Sequence, residues 1–238
     1  MKARLILLFI FIVWSSTGLV AESSVTSPEA IVENYAAATD GQKQSLDGSS
    51  MEVEIHASLP KLKKKGRLHA MRRISKLGKI TYEHLIFEGD GTVKNQVIAR
   101  YLAGEMEAQK DPSPALAVTP ANYKFKYKGV TEIEGRRAHV FAVAPKKKSV
   151  GLFKGEVWID TATNLRVQES GYWVKNPSVF LKKVAFMRKY EIRDGISVPL
   201  QVASVVDTRV WGPAELEIDF SNFSVDATQP AQVSSDGQ

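Results

Sequence analysis

The chain has 238 residues, with 32 lysines and arginines against 26 acidic residues, and it has no cysteine. Without cysteine it can form no disulfide framework, thiolate nucleophile, sulfur-based zinc site or lipidated N-terminal cysteine. The basic balance would favour nucleic acid as a partner in the cytosol. An export signal at the N-terminus argues against that partner and leaves anionic lipid headgroups or acidic proteins as the expected counter-charges.

The N-terminus has the three-part pattern of a secretory signal peptide. Lys2 and Arg4 form a basic start, residues 5–14 are apolar, and small residues follow. The apolar run is about half of the ~20 residues that a membrane-spanning helix needs. We therefore predict a cleaved signal peptide over residues 1–21 and export to the periplasm. Cleavage after Gly18 and an uncleaved membrane anchor are the alternatives.

The first predicted elements are a helix and three strands. Ser27, Pro28 and Glu29 are typical of a helix start, because serine caps, proline suits the first position and an acid suits the first turn. We expect this helix to last about three turns and to end near Asp40. The hydrophobic period then changes to two, which indicates half-buried antiparallel strands. The strands are expected at residues 51–59, 66–74 and 79–88.

The second half of the chain is predicted to contain one more helix and then a meander. Val97, Ile98 and Tyr101 begin a helical spacing that predicts an amphipathic helix over about residues 93–109. The segment Asp111–Pro114 ends it, and a loop follows. Strand patterns separated by turn residues come next. They begin at Tyr123 and continue at residues 137–145, 153–160, 166–174, 183–192, 196–209 and 214–220.

These elements predict an α+β fold that is mostly antiparallel β. About ten strands with no second hydrophobic core in sequence favour one curved, unclosed half-barrel covered by two helices. We expect this single domain to span residues 22–226. Residues 227–238 have no hydrophobic pattern and are predicted to form a disordered tail.

Two hairpins resemble those of outer-membrane lipoprotein-sorting proteins, the LolA/LolB-like superfamily. They are Gly155–Val167, with the sequence GEVWIDTATNLRV, and Tyr190–Pro199, with the sequence YEIRDGISVP. The resemblance implies an unclosed barrel whose apolar hollow, covered by helices, holds acyl chains or docks a partner. The well-studied carrier of that superfamily has an arginine in its cavity that helps to control lipoprotein release. Arg72, which interrupts the apolar face of its strand, is the nearest candidate here, and an arginine at a strand edge is the alternative.

Three predicted hairpin ends combine apolar residues with lysine or proline, at residues 146–154, 175–183 and 210–213. If the strands run alternately up and down, all three ends lie on one rim of the sheet. An anionic membrane surface or a membrane-bound partner would bind such a rim. The alternative is that the tip side chains fold into the core. The predicted rim residues are Lys146, Lys147, Lys148, Leu152, Phe153, Phe180, Leu181, Lys182, Lys183 and Trp211.

The opposite end of the strands is expected to be acidic. Its predicted turns carry Glu132, Glu134, Asp160 and Asp194, so the molecule is expected to be electrically polarised along its strands.

Motifs for catalysis are absent from the sequence. There is no Gly-x-Ser-x-Gly elbow, phosphate loop or dinucleotide fingerprint. The four histidines lie one per predicted strand, without the convergent ligands that a metal site needs. We therefore predict no enzyme, no metal and no cofactor.

The sequence favours a non-enzymatic periplasmic carrier or chaperone for lipidated protein or lipid. Its partners would be lipoprotein or lipid acyl chains and an anionic membrane, with no nucleic acid. The alternative is a sensory or scaffolding module that binds a protein partner through the same fold.

Overall fold

The computed structural model describes residues 26–108, 114–176 and 179–225. The predicted signal peptide, the last residue of the predicted second helix and the predicted tail lie outside the described residues. Within these three ranges, no helix is both long enough and apolar enough to cross a membrane.

Ten strands form one antiparallel sheet in the order β3-β2-β1-β10-β9-β8-β7-β6-β5-β4. Strands β3 and β4 are its two edges, so the sheet does not close, and the predicted open half-barrel of about ten strands is confirmed. The strands are β1 (Ser49–Leu59), β2 (Lys64–Ile74), β3 (Ile80–Gly89), β4 (Tyr123–Ile133), β5 (Arg136–Pro145), β6 (Phe153–Asp160), β7 (Arg166–Trp173), β8 (Leu181–Arg193), β9 (Ile196–Thr208) and β10 (Pro213–Val225).

The first helix begins where the capping signal predicted. Helix α1 spans Pro28–Thr39, and the Ser27 hydroxyl accepts a hydrogen bond from the Ala30 amide. Asp40 is its C-terminal cap, and a single turn, α2 (Gln42–Ser45), follows. The serine side chain accepts a hydrogen bond from one of the four amides that a helix start leaves without a partner. This capping preference explains why the start of the helix could be predicted from the sequence.

The second helical segment has a change of winding in its middle. It comprises α3 (Gly91–Val93), a π-helical stretch (Lys94–Ile98) and α4 (Ala99–Ala108). The Asp90 carboxylate caps its start by accepting hydrogen bonds from the next turn. The expected amphipathic helix is therefore present, with a π-helical interruption that periodicity did not predict.

Both helices cover the same face of the sheet. Directly opposite residues on neighbouring strands share a face, and one such row runs Val157, Glu169, Arg188, Val202, Ile218, Ile55, Leu68 from β6 to β2. Helix α1 packs at one end of this row and α4 at the other. We call this the covered face and the opposite one the outer face.

The covered face holds two separate apolar cores. The α1 core is rich in aromatic residues, and its buried members are Ile31, Val32, Tyr35, Tyr123, Phe141, Val143, Leu152, Phe153, Val157, Ile159 and Phe186. The α4 core is mainly aliphatic, and its buried members are Met51, Val53, Ile55, Ala57, Leu59, Leu68, Ala70, Ile74, Val93, Ile98, Leu102, Ala214, Leu216 and Ile218. The helices are therefore held to the sheet largely by apolar side chains.

A glycine pair lets the sheet curl beside the α1 core. Gly155 on β6 lies opposite Gly171 on β7. A Cβ atom at Gly155 would collide with the Ser170 carbonyl oxygen and with the Gly171 Cα. Only glycine permits this close approach of the two strands, which helps to explain the curvature of the half-barrel.

The turns divide between the two ends of the strands as the meander predicted. The connections β5–β6, β7–β8 and β9–β10 lie at one end of the strands. The β1–β2 connection lies at the same end, because Ser58 pairs with both Glu215 and Lys65. At the other end, Glu134 and Asp194 adopt the positive φ values of tight hairpins. Asp160, however, is buried and caps its own turn, so it does not contribute an exposed acidic charge at that end.

Candidate functional site

A cluster of charged side chains lies between the two cores, on the covered face. Glu169 on β7 is 1% exposed and is opposite Arg188 on β8. Its carboxylate accepts hydrogen bonds from Arg188 Nη1 at 2.8 Å, Arg166 Nη1 at 3.1 Å and the Tyr190 hydroxyl at 3.0 Å. We call these four residues the arginine cluster.

Strand alternation and one bulge bring the cluster together. Arg188 and Tyr190 follow the buried Val184 and Phe186 at intervals of two on β8. The pairing of β7 with β6 shifts register between two β6 residues, Trp158 and Ile159. This bulge adds one residue to β7, so Arg166 and Glu169 point to the same face although they are three positions apart.

The cluster carries an unbalanced charge, because two guanidinium groups share one carboxylate. Burial alone would raise the pKa of Glu169, but the adjacent Arg166 and Arg188 outweigh burial and hold it below its usual range. Burial raises the pKa of Tyr190 well above its usual value, so its phenol stays protonated and donates to Glu169. The ionised residues therefore leave a net charge of about +1 among apolar surroundings.

Solvent reaches the arginines but not the carboxylate. The side chains of Arg166 and Arg188 are 27% and 39% exposed, whereas Glu169 is sealed. Arg166 lies over the Tyr190 ring at 4.3 Å and Arg188 over the Phe186 ring at 4.5 Å. Within the part of the chain that the structure describes, Arg166 Nε is buried without a hydrogen-bond acceptor. The cluster thus presents fixed, partly open guanidinium groups.

One tyrosine from each helix is influenced electrostatically by the cluster. Burial raises the pKa of Tyr35 on α1, and Arg166 opposes this shift. Burial likewise raises the pKa of Tyr101 on α4, and Arg188 opposes that one. Each helix therefore contributes a tyrosine whose pKa one of the two arginines lowers against the effect of burial.

Arg72, the predicted cavity arginine, belongs to a different ionic group. It is buried on β2 beneath α4, and its Nη2 donates to Glu105 at 2.8 Å. The Tyr82 hydroxyl donates to the same carboxylate, and Arg72 Nη1 contacts the Met51 sulfur. The structure thus places Arg72 on the covered face rather than at an exposed strand edge, in an ion pair with Glu105 that helix α4 covers.

Two of the predicted rim residues are not on the rim. Leu152 and Phe153 are each 4% exposed and belong to the α1 core, so the prediction that they are exposed is wrong. Phe153 begins β6 and shares its face with Val157 and Ile159 at intervals of two. Its amide also donates to the Tyr123 hydroxyl at 3.2 Å, which anchors this tip to the core.

The other predicted rim residues remain at the surface. Phe180 is 57% and Trp211 37% exposed, and Leu181 is half-buried. The lysines are all exposed: Lys146, Lys147, Lys148, Lys182 and Lys183. Exposed Leu62 in the β1–β2 connection lies at the same end, where the Lys61 side chain packs against Gly212. We call this exposed set the rim.

The outer face carries a shallow groove of about 720 Å³ between β2 and β8. Met187 and Val205 expose apolar surface there, and Lys65, Glu215 and Glu217 are among the charged residues that line it. No group of metal-binding side chains occurs among the residues that the structure describes.

The fold defines the class of open, curled antiparallel sheets with helices on one face. No family model matches the chain. A search of curated proteins also finds no match.

Solved structures with a similar arrangement exist at low sequence identity. A DUF1329 family protein from Desulfovibrio piger has a TM-score of 0.44 and 15% identity, over 84% of this chain and 95% of that one. A putative outer membrane lipoprotein-sorting protein domain from Vibrio parahaemolyticus has a TM-score of 0.40 and 13% identity, over 84% and 93%. A LolA superfamily protein from Nitrosomonas europaea has a TM-score of 0.38 and 10% identity, over 82% and 94%. The group that the two hairpins resemble is thus among the structural matches.

Proposed function

We propose that this protein is a non-enzymatic periplasmic carrier or chaperone that holds acyl chains of a lipid or lipidated protein against the covered face. The observation that carries the proposal is the division of that face into two apolar cores with an open polar cluster between them. A ligand with apolar chains and a polar end would find both kinds of surface side by side.

The attachment of the helices supports this proposal. Helix α1 contributes Ile31, Val32 and Tyr35 to its core. If α1 moved away from the sheet, it would expose an apolar surface of the covered face that includes Phe141 and Phe186. Apolar side-chain packing can be replaced by acyl chains without leaving buried backbone groups unpaired, because the strand hydrogen bonds lie within the sheet.

The rim supplies a way to approach a membrane in this proposal. Lysines would be attracted to anionic headgroups, and exposed Phe180 and Trp211 would insert shallowly. The rim and the covered face would then act in sequence, with docking at a membrane followed by uptake or release of the lipid.

Native mass spectrometry of the protein purified gently from the periplasm of its host tests the carrier proposal. We expect additional mass corresponding to phospholipid or acylated peptide, which organic extraction removes and tandem mass spectrometry identifies. An exported protein of similar size, purified in parallel, controls for lipid carried over from the membrane. A clean apo mass that stays unchanged after incubation with a lipid extract of the host would contradict the proposal.

A scaffolding module that binds a protein partner is the second candidate, favoured by the outer-face groove and its exposed Met187 and Val205. Cross-linking in the host would distinguish the two candidates. A protein adduct mapping to β8–β9, together with an apo mass for the purified chain, would favour the scaffold.

A further inference from the structure

The arginine cluster has more hydrogen-bond donors than the acceptors that the described residues supply to it. A guanidinium group has five N–H donors. Arg166 and Arg188 each donate to Glu169 through Nη1, and within the described residues Arg166 Nε has no acceptor. One carboxylate therefore satisfies only part of the donor capacity of two arginines.

We propose that Arg166 and Arg188 bind the anionic headgroup, a phosphate or a carboxylate, of the amphiphile that the covered face carries. This inference rests on the proposed carrier function and specifies its ligand. The headgroup would take the second anionic position beside the two arginines, while the acyl chains lie against the neighbouring core.

The geometry prepares the two arginines for such a ligand. Glu169 is buried behind them and holds each guanidinium group in place, and their planes are also fixed by stacking on Tyr190 and Phe186. Both arginine side chains are partly exposed, although Arg166 Nε itself is buried. Arginines that are already ordered lose less conformational entropy on binding, and their planar donors suit phosphate and carboxylate oxygens.

The surroundings distinguish a headgroup from a free anion. Phe186, beneath Arg188, is a buried member of the α1 core, to which Tyr35 of helix α1 also belongs. Across the sheet, Arg188 lies opposite Val202, which packs against the α4 core. An ion without an apolar tail would contact the arginines but leave the adjoining apolar surface unused.

Arg72 offers an internal contrast, because its charge is already matched. It forms an ion pair with Glu105, and the Arg72 side chain is only 8% exposed. The same type of residue on the same face therefore serves a closed ion pair at one position and an open, positively charged cluster at another. The ligand is assigned to the cluster for this reason.

Binding of two matched amphiphiles to the mature protein tests the proposal. The probes are palmitoyl lysophosphatidic acid, which is anionic, and monopalmitoylglycerol, which has the same chain and no charge, each titrated by calorimetry below its aggregation concentration. Inorganic phosphate alone is the third titrant. We expect the wild type to bind the anionic lipid about tenfold more tightly than the neutral one, and phosphate weakly, because charge-assisted hydrogen bonds are formed only with the phosphate head.

Two substitutions locate the effect. Arg188→Gln should remove the preference for the anionic lipid while leaving the affinity for monopalmitoylglycerol within about twofold of wild type. Glu169→Gln should increase the affinity for the anionic lipid several-fold, because it removes the internal anion that competes for the same donors. Arg67→Gln, which removes an exposed arginine paired with Glu88 on the outer face, is the matched control and should retain the wild-type preference.

Each contrary result has a distinct meaning. Equal wild-type affinity for the two lipids would overturn the headgroup assignment and would not affect the carrier proposal. Failure of both lipids to bind would contradict the headgroup assignment and the carrier proposal together. Phosphate that binds as tightly as the lipid would indicate an ion site instead. If Arg188→Gln does not fold, Glu169→Gln decides: unchanged or weaker binding of the anionic lipid would show that the cluster has only a structural role.

Discussion

Two tips at the same end of the sheet have similar composition and opposite structures. Residues 146–154 and residues 175–183 each combine lysines with a leucine and a phenylalanine. Phe153 of the first tip is 4% exposed, and Phe180 of the second is 57% exposed. The composition of a tip therefore does not decide whether its aromatic residue stabilises the fold or is available to a membrane.

Strand register explains the difference between the two tips. Phe153 is the first residue of β6 and continues its inward-facing alternation. Simple alternation would also place Phe180 on the same face as Phe186 on β8. A register shift between Leu181 and Lys183 adds one residue to β8, so Leu181 turns toward the covered face and Phe180 turns away from it.

The largest effect should come from replacing the buried aromatic. We expect Phe153→Ser to lower the free energy of unfolding by about 3–5 kcal/mol, because it removes a fully packed ring from the α1 core. Phe180→Ser, the matched change at the second tip, should alter it by no more than about 0.5 kcal/mol. Urea unfolding followed by tryptophan fluorescence measures both. Similar losses in the two variants would mean that Phe180 also packs into the structure.

Much of the fold could be predicted because its signals are local. Ser27 identifies the start of α1, and alternation identifies the strands within a few residues. Strand β10 is the exception, since it continues to Val225, five residues beyond its predicted end. Its last residues pair with the start of β1, and such long-range pairing leaves no local signal.

The site was less accessible to prediction because it depends on register. Arg188 could have been noticed, since it follows Val184 and Phe186 on the inward-facing positions of β8. Arg166 and Glu169 could not have been assigned to one face by alternation, because a bulge separates them. The approach of the two helices to the cluster is likewise a tertiary feature with no local signal.

The rim can be tested separately from the core by changing only its exposed aromatics. We expect the Phe180→Ser, Trp211→Ser double variant to lose roughly thirtyfold or more in affinity for vesicles containing phosphatidylglycerol, because partial burial of two large side chains contributes about 2 kcal/mol. Vesicle flotation measures the binding, and circular dichroism confirms that the variant is folded. The Phe153→Ser variant is unsuitable here because its effect on the core would dominate.

Two outcomes of that experiment would contradict the rim proposal. One is equal vesicle binding by the folded double variant and the wild type. The other is equal binding by the wild type to phosphatidylglycerol and phosphatidylcholine vesicles, since the lysines should favour the anionic surface.

The smallest expected effect concerns single lysines on the two tips. Lys182 is exposed beside Phe180, whereas Lys148 belongs to the tip whose phenylalanine and leucine are buried. A basic residue close to an anionic bilayer contributes about 1 kcal/mol, and this contribution falls off within a Debye length of roughly 10 Å. An inserted Phe180 would hold Lys182 within that distance, so we expect Lys182→Gln to weaken binding to phosphatidylglycerol vesicles about fivefold at roughly 0.1 M salt, where the Debye length has this value. Lys148→Gln should weaken it less, and raising the salt concentration should reduce the difference. A larger effect of Lys148→Gln would indicate that the first tip makes the closer approach to the membrane.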